Sequence, residues 1–146
     1  MQERKIKHTL PGFVKAGIQT GVLVSVVNMI WYLFSTKLLF IQAPGNITIV
    51  TVIITCVVVA LLASLVFYLL FPRVKKPVLV FRGIVFILAL LSLFGAFMGE
   101  MPDGTPAPER FHVLAMPMHM FAGILTGYFI PKFLKKDLGA MFRQTA

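Results

Sequence analysis

Four long apolar runs, residues 16–38, 48–71, 78–99 and 110–130, occupy most of this chain, and no Asp or Glu falls inside any of them. A helix rises ~1.5 Å per residue, so ~20 residues cross the ~30 Å of bilayer hydrocarbon, and each run is long enough. Lipid offers no hydrogen-bond partner to bare backbone, which leaves the helix as the form such runs must take. Composition agrees, since 58% of residues are hydrophobic and 13% charged, a balance a soluble globular domain does not show. The expected fold is all-α: a four-transmembrane-helix antiparallel bundle using residues 1–146 as one membrane domain.

The breaks carry ordinary stop and start signals. Run one fades through Lys37 into "QAPGN", where Asn46 is expected to cap the second helix; this reading takes the sequon "NIT" as a cap, not a glycan site. Run two stops at Pro72 in "FPRVKKP", a connection short enough to force a hairpin, and "GEMPDGTPAPER" leads into run four with Pro108 set to start it. Run four is expected to end at Pro131, and "KFLKKDLGAMFRQ" beyond it to lie along the membrane surface, with Phe133, Leu134, Leu138, Met141 and Phe142 toward lipid. The first run is longer than a signal-peptide core and no small-residue cleavage site follows it, so it is expected to stay as an anchor.

Orientation comes from counting cations. Arg4, Lys5, Lys7, Lys15, Arg73, Lys75, Lys76, Arg82, Lys132, Lys135, Lys136 and Arg143 fall on one side, which is 12 of the 14 Lys and Arg residues; Lys37 and Arg110 fall on the other. Both termini and the middle connection are therefore expected in the cytoplasm, opposite Glu100, Asp103 and Glu109. The net charge of +9 follows from this topology and from anionic lipid headgroups as partners, and no nucleic-acid partner is expected.

Small residues recur four apart: Gly17 and Gly21, Gly95 and Gly99, Gly123 and Gly127, with Cys56, Ala60 and Ser64 in run two. Helices in lipid associate by close backbone approach through such faces, either within the bundle or with further copies in an oligomer or larger membrane complex. Cys56 itself reads as a small packing residue.

Polar residues inside a membrane are costly and are functional candidates by default. The binding candidates are Asn28, Ser92 and His119, with Thr55 and Gln19 behind them. Helical spacing puts Asn28 on the face of Gly17 and Gly21, and His119 near that of Gly123, while residue counts put all three candidates at one depth. Asn28 and an uncharged His119 are expected to face each other across the first and last helices. Two roles are open to them: a hydrogen-bonded clasp, or the polar floor of a small-ligand or lipid pocket.

Other chemistry finds less purchase. His112, Met116, His119 and Met120 form a soft-ligand set suited to Cu(I), the alternative metal reading. A haem would need a second chain, because both membrane-embedded histidines lie on one helix, so no cofactor is expected. A small oligomeric transporter would want a membrane carboxylate, which is missing, and no nucleophile stands beside a base at a recognisable spacing. The chain is therefore expected to be non-enzymatic, an accessory or small-ligand/lipid-binding membrane component, with oligomeric transport or copper handling as the alternative.

The pattern "VNMIWYLF" in run one with "AMPMHMFAGILTGYF" in run four resembles a family of small four-span bacterial membrane proteins known as a domain of unknown function. The resemblance covers nearly the whole chain in span number, spacing and the positions of Asn28 and His119. It implies a bacterial cytoplasmic (inner) membrane and no assigned activity.

Overall fold

All four apolar runs fold as helices: α1 (Leu10–Lys37), α2 (Ile49–Leu70), α3 (Pro77–Phe97) and α4 (Phe111–Gln144), each with a stretch long and apolar enough to cross a membrane. The computed structural model describes residues 10–97, 99–101 and 104–144, with side chains to residue 135. The cations Arg4, Lys5 and Lys7, the acid Asp103, and the side chains of Lys136, Leu138, Met141, Phe142 and Arg143 lie outside the described residues.

Three boundaries differ from expectation, each for a local reason. α1 starts six residues before residue 16, with Pro11 in its first turn, where a missing N–H breaks no helical bond. α2 is capped by Thr48 and not Asn46: the Thr48 hydroxyl accepts from the Thr51 N–H while the Thr51 hydroxyl accepts from the Thr48 N–H. α4 does not stop at Pro131 but continues to Gln144, so the segment after Pro131 is the same helix and not a separate surface one. A 34-residue helix is ~51 Å long and overruns the hydrocarbon.

The helices pair in two hairpins. α2 follows α1, where Gly17 and Gly21 let the backbones close in: a Cβ at Gly21 would lie 2.7 Å from the Val57 Cα, and one at Gly17 2.9 Å from the Ser64 Cβ. α3 follows α4, from Phe97 stacked on His112 at one end, past Ala89 against Gly123, to Arg82 beside Gly127. The hairpins join mainly through α1 and α4, and the backbones of α1 and α3 do not come close. The Gly95 and Gly99 pair was expected to pack, yet nothing lies within 4 Å of either Cβ position, and Gly99 is past the helix end at φ +69°.

The two ends of the bundle differ. Where the short α2–α3 connection holds the hairpins together, all four helices share a core of Phe13, Phe67, Phe81, Val85, Ile130 and Leu134, with Phe67 stacked on Phe81 at 4.6 Å between centroids. Toward the opposite end a second core of Val24, Val52 and Cys56, flanked by Met118 and Ala122, draws on α1, α2 and α4 but not on α3. That asymmetry makes room for a cavity.

Candidate functional site

The cavity holds about 320 Å³ and is walled by α1, α2, α4 and the connection before α2; α3 contributes no residue to it. Its walls are mostly apolar, from Val24, Val52, Val59 and Leu114, with Asn28, Asn46, Thr51, Thr55, His119 and Thr126 as polar points. α1 is packed tightly on both other walls, while α2 and α4 scarcely touch.

Asn28 is fixed at its edge. The amide Nδ2 donates 3.3 Å to the Met118 carbonyl on α4 and lies 3.3 Å from the Cys56 Sγ on α2, tying three helices at one point. A carbonyl can only accept, so the amide nitrogen must face α4, and this sets the orientation of the group. Its Oδ1 is buried and has no partner among the described residues. One turn along α1, the Trp31 indole donates 3.1 Å to the Leu114 carbonyl, a second clasp between the same antiparallel pair. Leu114 and Met118 are one turn apart on α4, on either side of Pro117, whose missing N–H leaves the Val113 carbonyl without its helical donor.

Of the residues named from the sequence, Asn28 and His119 line the same cavity, and so does Thr55. Asn28 does not bond the imidazole; its amide takes the backbone carbonyl of the preceding residue, and His119 is exposed. Ser92 is not brought to them. Its hydroxyl donates 2.7 Å to the Ala89 carbonyl within α3, and shared depth did not mean shared direction, because α3 lies on the far side of α4 from α1. Gln19 is exposed on α1 and does not line the cavity.

The soft-ligand set is also divided. His112 stacks on Phe97 toward α3, and neither it nor Met116 or Met120 lines the cavity that His119 faces. The methionine that does is Met118, which helical spacing set apart from Met116 and Met120. Sequence reasoning missed Cys56, Met118, Trp31 and Thr126 as site residues, the last buried at 3% exposure in the cavity wall. The usable signal was the spacing of Asn28 and Trp31, three apart and so on one side of α1, two long-reaching donors aimed at one neighbour.

The arrangement offers an acceptor at Asn28 Oδ1 and a donor or acceptor at His119, inside a space whose walls are mostly apolar. Comparison with protein-family models, with curated proteins and with solved structures finds nothing that matches this chain.

Proposed function

We propose that this protein is a non-enzymatic, multi-pass membrane component that holds a small lipid or lipid-soluble molecule in the α1–α2–α4 cavity. The observation that carries this reading is Asn28: its buried Oδ1 has no partner among the described residues, and the residue lines a space large enough for a ligand. An acceptor left bare in an apolar surround costs ~1–3 kcal/mol, and a hydroxyl or amide N–H on a bound molecule would recover it. Pockets of ~300 Å³ with few polar points among apolar walls are typical of small-ligand sites. The sparse contact between α2 and α4 leaves a route for an occupant that arrives from the bilayer. In this reading the chain sits in a bacterial cytoplasmic membrane with both termini inside, and the cavity belongs to the outer half of the bilayer.

The test is to purify the protein from native membranes and identify retained small molecules by mass spectrometry, for the wild type, Asn28→Ala and Trp31→Phe. Both changes break an α1–α4 clasp, but only the first removes the free acceptor. The expected result is one enriched amphiphile that Trp31→Phe retains and Asn28→Ala loses. A wild type carrying only bulk membrane lipid in bulk proportions would overturn the reading, as would equal retention by both variants.

A further inference from the structure

A second site lies at the other end of the bundle, on the lipid-facing seam between α3 and α4. Pro131 has no N–H, so the Gly127 carbonyl four residues earlier loses its helical donor. Arg82 takes that place, its Nε donating 3.2 Å to the Gly127 oxygen. The guanidinium is thereby held at a fixed position, its carbon 5.9 Å from the centre of the Tyr128 ring, with both Nη groups left without a partner among the described residues. Lys132 sits 5.2 Å from the centre of the same ring. Two cations thus gather on one aromatic ring, and among the described residues neither has a carboxylate beside it: the described acidic side chains, Glu100 and Glu109, belong to the connection at the opposite end of the bundle.

Next to these cations runs an open groove of about 470 Å³. Glycines 83, 123 and 127 give it a floor without side chains, and exposed Leu79 and Phe86 on α3 face Ile124 and Tyr128 on α4 across it. An anchored positive group beside a long apolar trough that faces lipid is complementary to one kind of molecule, an acidic headgroup attached to an acyl chain. We infer that this groove binds an anionic glycerophospholipid, its phosphate on the Arg82 Nη donors under the field of Lys132 and one acyl chain laid along the glycine floor. The site is separate from the α1–α2–α4 cavity and does not depend on what occupies it.

Native mass spectrometry of the protein, delipidated and then returned to equal phosphatidylglycerol and phosphatidylcholine of matched chains, reads this directly. The wild type is expected to retain one phosphatidylglycerol in preference to phosphatidylcholine. Arg82→Gln keeps a donor at the place of Nε, and so the bond to Gly127, while removing the charge; Lys132→Gln removes the other charge without touching that bond. Each is expected to lower the preference about fivefold, and the pair together more. Lys75→Gln with Lys76→Gln, which removes the same amount of charge from the α2–α3 connection, is expected to leave it unchanged. Equal retention of both lipids by the wild type would overturn the inference. So would an equal loss from the Lys75 and Lys76 changes, which would mean diffuse surface charge, or displacement of the lipid by inorganic phosphate alone, which would mean a plain anion site.

Discussion

The Gly127 carbonyl is the clearest case in this chain of one residue's defect being met by another's side chain. Proline at 131 removes a donor, and a buried acceptor left bare costs ~1–3 kcal/mol, which Arg82 Nε recovers. The two residues should therefore be energetically coupled. In the wild type, Arg82→Met removes the donor and is expected to cost about 1 kcal/mol in detergent unfolding. With Pro131→Ala, the helix regains its own N–H to Gly127, and the same Arg82→Met change is expected to cost little. A double-mutant cycle checks this, and equal costs in both backgrounds would mean that Arg82 contributes nothing to satisfying the carbonyl. The sequence held both halves of the pair. Arg82 read only as one of 12 cations on one side, and Pro131 only as a stop, because a proline marks a lost donor without saying whether a neighbouring helix supplies another.

At the level of elements, glycine spacing identified small faces but not their occupants. Gly17 and Gly21 proved to be where α2 closes on α1, and Gly123 is where α3 closes on α4, yet Gly95 faces open space. A period of four is a property of one helix, whereas packing is a property of two. The consequence is a sharp contrast between similar substitutions. Gly21→Ala places a methyl 2.7 Å from the Val57 backbone, which cannot rotate away, and is expected to cost ~1–3 kcal/mol and to lower the thermal unfolding temperature. Gly95→Ala meets nothing within 4 Å and, with alanine the better helix former, is expected to leave stability unchanged or raise it slightly. Thermal scans of the two variants in one detergent check this, and a comparable loss from Gly95→Ala would point to an oligomer contact on that face. The four helices themselves were legible because length and apolarity set them alone, whereas the start of α1 at Leu10 and the run of α4 past Pro131 to Gln144 were not. Pairing was less so: depth counts placed Ser92 level with Asn28, but only the path of α3 along the far side of α4 determines that they do not meet.

For the whole molecule, the distribution of charge and the distribution of packing point the same way. The four-helix core of Phe13, Phe67 and Phe81 lies at the end that also carries Arg73, Lys75, Lys76, Arg82, Lys132 and Lys135, while the cavity lies toward the end with Glu100 and Glu109. Cations near helix ends are retained on the cytoplasmic side, so the packed end should face the cytoplasm and the cavity should open into the outer half of the bilayer. If so, alkaline phosphatase, which is active only outside the cytoplasm, should be silent when fused after Ala146 and active when inserted after Thr105 in the α3–α4 connection. A fluorescent protein that matures only inside should give the reverse pattern. Opposite results would invert the bundle, moving the cavity to the inner half and the Arg82 groove to the outer half. The orientation does not hang on the middle connection alone. Replacing Arg73, Lys75 and Lys76 together removes three cations from the middle connection, yet Lys15, Lys132 and Lys135 still hold the ends of α1 and α4 on that side, so the fusion pattern is expected to persist.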